Sequence, residues 1–404
     1  MSNPNNVSLN INHELEFIDG HALNIPTLSI LTEDGDIHPS APAPDISKQT
    51  AIKLYETMRF IRLLDERMQG AQRQGRVSFY MQCLGEEAAV TASAAALDQD
   101  DMIMAQYREQ AALHYRGFTL DQFMNQMFSN ELDLGKGRQM PIHYGSKALN
   151  YMTISSPLGT QIPQATGYAY GQKVKHIDAK TGELASIIDN VTICYFGEGA
   201  ASEGDFHAGL NMAAVHKAPV IFFARNNGYA ISTPADEQFK GDGIASRGVG
   251  YGIKTIRVDG SDALAVYAAT KKAREIAATQ GEPVLIESIA YRLGAHSTSD
   301  DPSGYRSKDE EANYKACPIE RFRKWLVKQN WLDDAEDIKA KETIRDDILA
   351  ALKRAEVIDK PALEELISDV YDTPIPSLQR QYDELKTHIK AHPDAYPTTA
   401  GRIK

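Results

Sequence analysis

The chain has 404 residues, with 43 Lys and Arg against 55 Asp and Glu, for a formal net charge of −12. That balance argues against a general nucleic-acid binder, whose phosphate contacts need a basic face, and no apolar run approaches the ~20 residues that span a bilayer. Cys83, Cys194 and Cys317 are odd in number and form no CxxC pair, so neither a disulfide framework nor a zinc site is suggested. The amino-terminal stretch carries Glu14, Glu16 and Asp19 and has no basic or apolar targeting region, so a cytoplasmic, reduced setting is expected.

Residues 1–45 are polar and turn Pro-rich towards Pro44, the composition of an extended arm that lies on a partner or is disordered. Helical spacing begins near Ile46 and runs through Met58, Ile61, Leu64 and Met68 to a stop at Gly75. A second helix opens at Gly85-Glu86-Glu87, and residues 101–135 again have helical spacing. Gly135 to Pro141 is too rich in glycine and charge for a regular element, and 179–190 is a polar excursion. Two strand-length apolar runs follow, 191–196 and 219–224, with Phe206, Leu210, Ala213 and Ala214 on one helix face between them. A further strand at 253–258, helix at 263–278 and strand at 284–291 extend the alternation, which predicts an α/β doubly wound, mostly parallel sheet. Beyond Asp300 the chain is charged and helical, at 310–329 and 334–356. The expected organisation is an arm at 1–45, an α/β domain at 46–305 and a helical region at 306–404.

Each strand of the β-α-β unit feeds a polar cluster. Gly197-Glu198-Gly199-Ala200 follows the first, and Arg225-Asn226-Asn227-Gly228-Tyr229 follows the second. Both lie at carboxyl ends of parallel strands, where open α/β sheets bind ligands. A carboxylate and amide oxygens beside an arginine suit a hard cation bridging a diphosphate. Either cluster alone reads as an ordinary glycine turn; the pair on neighbouring strands favours the metal. His296 follows the strand at 284–291 and reaches the same edge.

This spacing resembles the Gly-Asp-Gly … Asn-Asn signature of thiamine-diphosphate enzymes, with Glu198 in place of the central Asp and residues 200 to 225 between the clusters. The stretches 197–205, 226–233 and 296–301 are similar to alpha chains of branched-chain 2-oxo acid dehydrogenases, and the likeness runs from roughly residue 50 to 390. The resemblance implies a thiamine-diphosphate-binding fold with Mg²⁺, or Mn²⁺ as a substitute, held by Glu198, Asn227 and the carbonyl of Tyr229. It assigns cofactor contacts to Gln106, Tyr107, Arg108, Ser156, Leu158, Gly197, Glu198, Gly199, Ala200, Arg225, Asn227, Tyr229, Ile231 and His296. Arg108 and Arg225 are expected on phosphate oxygens as bidentate donors. His296 is expected to be catalytic, with a near-neutral pKa suited to proton transfer. Tyr107, Leu158 and Phe79 are candidate pocket walls, and Arg292, Tyr305 and Arg306 are expected to order the histidine loop. Ser155, Pro157, Thr160 and Gln161 resemble a potassium site, and Ser297 and Ser307 align with positions phosphorylated in relatives.

Enzymes of this type need two α/β domains, and only one is visible here. The resemblance therefore implies a beta subunit that supplies the pyrimidine-side domain, in an alpha2-beta2 heterotetramer. The implied reaction is oxidative decarboxylation of branched 2-oxo acids such as 3-methyl-2-oxobutanoate, with reductive acylation of a lipoyl group on an acyltransferase core. A related alpha chain acting on pyruvate or acetoin is the alternative. A nicotinamide-binding Rossmann unit fits worse, because Gly197-Glu198-Gly199-Ala200-Ala201-Ser202 lacks the third glycine. A decayed scaffold would not keep Glu198, Asn227, Arg108, Arg225 and His296 together.

Overall fold

The computed structural model describes residues 13–20, 23–314 and 317–396. Its sheet strands are β1 Thr27–Leu28, β2 Met102–Met104, β3 Thr192–Gly197 and β4 Val220–Asn226. After a small antiparallel pair, β5 Tyr229–Ala230 and β6 Thr233–Pro234, come β7 Lys254–Asp259 and β8 Val284–Ile289. The six sheet strands are all parallel, in the order β1-β7-β8-β4-β3-β2.

Side chains alternate across the pleat, so each central strand feeds two cores. Ile193, Tyr195, Ile221, Phe223 and Ile286 face one apolar cluster, and Cys194, Phe196, Phe222, Ala224 and Leu285 face the other. The continuous apolar runs are what a parallel sheet covered on both faces requires. On the first face lie α1 Lys48–Arg73, α2 Glu87–Ala95, α3 Gln110–Tyr115 and α4 Leu120–Met127. On the second lie α5 Gln161–Val174 and α6 Gly204–His216, which bury Ile162, Ala165, Phe206 and Leu210. Truncating a fully buried ring such as Phe206 costs about 3–5 kcal/mol. After the short helices α7 Ala235–Gln238 and α8 Ala245–Gly250, α9 Ala263–Gln280 returns to the first face. Its ends are set locally. Asp262 accepts from the amides of Leu264 and Ala265 at 3.0 and 3.1 Å, and Gly281 takes the left-handed cap at φ 62°.

Three expectations change. Residues 102–104 form the edge strand β2, so the helical spacing at 101–135 holds only from Gln110 onward. A three-residue strand is too short to show its own period. Within the segment read as an arm, β1 pairs with β7, and Ile30 and Leu31 are buried, their amides bonded to Asp262 at 2.6 and 2.7 Å. The helix expected at 310–329 is two, α10 Lys308–Asn313 and α11 Pro318–Lys328, because Pro318 has no N–H to give and starts a new first turn. α12 Asp334–Glu356 packs on α1 and α4, and α13 Glu365–Ser368 and α14 Pro376–Ala391 follow.

Candidate active site

Strand register brings the polar clusters to one edge. Gly197 pairs with Arg225, and Asn226 pairs with Ile289, so the chain leaves β3, β4 and β8 side by side. Two turns shape that edge. Gly228 sits at φ 89°, and a Cβ on Gly199 would stand 3.0 Å from the Cβ of Ala230, so a side chain there would push the two loops slightly apart. Ile231 is left-handed at φ 56°, a conformation a β-branched residue adopts only when its surroundings impose it. The Arg292 guanidinium imposes it by donating to the Ile231 carbonyl at 2.7 Å.

The resulting cavity is about 220 Å³. Gln106, Tyr107, Arg108, Leu158, Gly197, Glu198, Gly199 and Ala200 line it, with Arg225, Asn227, Tyr229, Ile231 and His296 completing the expected set. Ala230 and Arg292 line it as well. Ser156 does not. Its hydroxyl lies 2.9 Å from Nε2 of the buried His143, whose Nδ1 lies 3.1 Å from the Pro141 carbonyl. A carbonyl only accepts, so the ring proton is on Nδ1 and Ser156 donates to Nε2. Phe79 is also outside the lining and packs against the main core. In the same loop as Ser156, Thr160 Oγ1 donates to the Pro157 carbonyl at 3.1 Å, and Gln161 Nε2 donates to the Tyr195 carbonyl at 3.0 Å.

The three arginines differ. Arg225 is fully enclosed, bonded to Glu86 and 2.7 Å from a Glu109 oxygen, so its charge is already matched. The expectation that Arg225 is a free phosphate donor is therefore corrected: it lines the cavity as part of a balanced buried ion cluster. Arg108 instead donates to the carbonyls of Gln82 and His296, the latter at 2.6 Å. Arg292 meets the Ile231 carbonyl and the Tyr305 hydroxyl at 2.7 and 2.9 Å. Among the described residues neither Arg108 nor Arg292 makes an ion pair, so the cavity holds two uncompensated guanidinium groups.

His296 lies against both. Arg108 Nη2 is 3.3 Å from Nδ1, and guanidinium cannot accept, so Nδ1 carries the lone pair and Nε2 the proton. Burial, then Arg108 and Arg292, push its pKa down to about 3. The near-neutral value expected from sequence is thus overturned by surroundings that disfavour a third positive charge. The loop is closed by Asp300, which accepts from the His296 amide and the Tyr305 hydroxyl, each at 2.6 Å.

Two carboxylates show the opposite contrast. Glu86 bonds Arg225 and accepts from Asn227 Nδ2 at 2.8 Å; burial pushes its pKa up, but these partners hold it below its ordinary value. Glu198, 1% exposed, has one carboxylate oxygen with no hydrogen-bond partner among the described residues. Burial, reinforced by the nearby Glu86 charge, raises its pKa to about 7. A buried acceptor left open beside an amide oxygen and a backbone carbonyl is a donor set a divalent cation satisfies.

The family model described as the dehydrogenase E1 component matches residues 55–364. The chain belongs to that family. This E1 chain is 48% identical over 387 residues to 2-oxoisovalerate dehydrogenase subunit alpha 1, mitochondrial, of Arabidopsis thaliana, covering 95% of this chain and 80% of the relative. It is 50% identical over 376 residues to the corresponding mitochondrial alpha subunit of Dictyostelium discoideum, covering 92% and 83%. The human mitochondrial alpha subunit is 47% identical over 388 residues, covering 95% and 84%.

Sequence reasoning on this E1 chain missed Glu86 and Glu109, which set the charge of Arg225. Glu109 also accepts from the amides of Gln106 and Tyr107 at 2.9 and 2.8 Å, and so fixes that turn. One signal was available: Glu86-Glu87 opens an otherwise Ala-rich, buried helix, where carboxylates are tolerated only with partners.

Proposed function

We infer that this chain is the alpha subunit of a branched-chain 2-oxo acid dehydrogenase, which decarboxylates 3-methyl-2-oxobutanoate and related branched 2-oxo acids. The observation that carries the reading is the cavity at the strand ends, lined by two guanidinium groups without ion pairs and by the open Glu198 oxygen, in a chain closely similar to proteins named for 2-oxoisovalerate. Those names disfavour pyruvate as the substrate.

Glu198, the Asn227 amide oxygen and the Tyr229 carbonyl would hold Mg²⁺ or Mn²⁺, and Arg108 and Arg292 would face the diphosphate. Thiamine diphosphate, when bound, supplies the nucleophilic carbon and the electron sink of decarboxylation. His296, held neutral with its proton on Nε2, offers an N–H to an oxyanion without adding a cation beside two others. Tyr107, Leu158 and Ile231 provide apolar wall that limits water at the reacting end.

A beta subunit is proposed to complete the site. The chain supplies one α/β unit, and α5, which begins three residues after Leu158, has an exposed face beside the cavity. A Cβ added at Gly167 or Gly171 would meet nothing within 4 Å, and Tyr168 and Tyr170 are 41% and 42% exposed. Small residues one turn apart let another helix approach closely, and tyrosines suit an interface. The proposed assembly is an alpha2-beta2 heterotetramer that passes the acyl group to a lipoyl-bearing acyltransferase core. The test is decarboxylation by the chain reconstituted with its beta partner, thiamine diphosphate and Mg²⁺. Turnover on 3-methyl-2-oxobutanoate well above that on pyruvate supports the reading, and preference for pyruvate contradicts it.

A further inference from the structure

The segment Tyr80–Glu86 belongs to no helix or strand, yet it touches Arg108 and the residues flanking Arg292 and His296. The Tyr80 amide donates to Thr298 Oγ1 at 3.1 Å, and its carbonyl accepts from the Thr298 amide at 3.1 Å. The Gln82 carbonyl accepts from Arg108, and the Leu84 carbonyl accepts from the Leu293 amide at 3.1 Å. Gly85, at φ 88°, runs so close to the chain before Arg292 that a Cβ would stand 2.1 Å from the Tyr291 carbonyl oxygen. Glu86 then reaches Asn227. This strap joins the histidine loop, Arg108 and the second polar cluster into one body.

A strap without secondary structure needs side chains to hold its start: Gln110 Nε2 donates to the Met81 carbonyl at 3.0 Å, and Asp65 binds the strap on either side of that point. Asp65 of α1 is fully buried. Its carboxylate accepts from the Tyr80 hydroxyl at 2.7 Å with one oxygen and from the Cys83 amide at 2.7 Å with the other. Its backbone carbonyl also accepts from Gln82 Nε2 at 3.4 Å. A buried carboxylate is costly unless its bonds define a geometry.

We propose that Asp65 is a positioning residue: by clamping the strap at Tyr80 and Cys83 it sets where Thr298, and with it His296, stands over the cavity. It touches neither substrate nor cofactor. The inference rests on the reading that His296 serves the decarboxylation site.

The clamp depends on ionisation. A proton on the oxygen facing the Cys83 amide removes that amide's acceptor, and a proton on the other oxygen reverses the Tyr80 bond. The groups facing Asp65 are Tyr80 and Cys83 of the strap, Glu87 of α2 and Tyr144 of the loop after α4. Burial places its pKa at about 7, against the opposing pull of the Tyr80 and Cys83 bonds. Turnover of the wild type is therefore expected to rise through a midpoint near 7.

The experiment compares Asp65→Asn and Thr298→Val with the wild type, each reconstituted with the beta partner and cofactor. Asp65→Asn keeps the volume and removes the charge, and Thr298→Val cuts the same link from the loop side. Each is expected to lower kcat on the order of tenfold to a hundredfold with KM little changed. Each should speed amide exchange in the peptide 293–301, and the double variant should lose no more than the worse single. The acid limb near 7 should flatten in Asp65→Asn. Wild-type turnover, an unchanged pH profile and unchanged exchange in either variant would overturn the proposal. Should Asp65→Asn fail to fold, Thr298→Val decides the matter by the same turnover and exchange measurements. A wild type inactive on branched 2-oxo acids counts against the function instead, and the exchange rates still decide the role of Asp65.

Discussion

On the α2 side of the cavity Arg225 sits between Glu86 and Glu109. In the same cavity Arg108 and Arg292 meet only carbonyl oxygens, a tyrosine hydroxyl and the ring of His296. The residue type is the same and the cavity is shared, yet one guanidinium is part of the fold's internal charge balance and two are left for a ligand. The difference teaches that a cation lining a pocket is available to an anion only if the protein has not already neutralised it. The carboxylates obey the same rule. Glu86 is spent on Arg225 and Asn227, whereas Glu198 keeps an open oxygen.

The comparison is most sharply broken at Arg225. Arg225→Leu strands two buried carboxylates and is expected to cost about 3–5 kcal/mol of stability, read by denaturant unfolding; a loss under about 1 kcal/mol would mean that the cluster is not balanced as described. Glu198 gives the opposite sign. Its folded pKa, about 7, lies above the ordinary carboxylate value, so the folded chain holds that proton more tightly than the unfolded one. The resulting stability is complete below the ordinary value and is lost as pH rises through about 7. Without divalent cation, Glu198→Gln should therefore be more stable than wild type at pH 8, on the order of 3 kcal/mol, with the advantage shrinking towards pH 5. A variant less stable than wild type at pH 8 would show that Glu198 is already satisfied. Smaller again is Arg108→Leu. It should weaken pyrophosphate binding in calorimetry by about 1.5–3 kcal/mol and destabilise the fold less than Arg225→Leu, because no carboxylate is stranded. Equal losses of stability in the two variants would erase the distinction.

Much of this was legible in the residues. Cores on both faces made β3, β4 and β8 visible as apolar runs, β7 was legible from its β-branched residues between helix signals, and the turn chemistry of Gly197-Glu198-Gly199 and Asn227-Gly228 marked the edge where they end. The edge strands β1 and β2 were not visible, since two or three residues carry no period. Charge pairing was hidden for a different reason: Arg225 and Glu86 lie 139 positions apart, and their contact exists only after the sheet and α2 are assembled. The pKa of His296 was misjudged for the same reason, because Arg108 lies 188 positions away in sequence and meets it only in the folded chain. Ser156 was expected to meet the cofactor through its backbone, and its hydroxyl is engaged with His143.

On the proposed function, the edge of β3 and β4 would hold a divalent cation and a diphosphate together. The direct measurement is a calorimetric titration of thiamine diphosphate into the chain joined to its beta partner, with Mg²⁺ and then with a chelator. The account predicts tight binding only with Mg²⁺, and weak, Mg²⁺-insensitive binding after Glu198→Gln. Equal affinity with and without the cation in the wild type would contradict it.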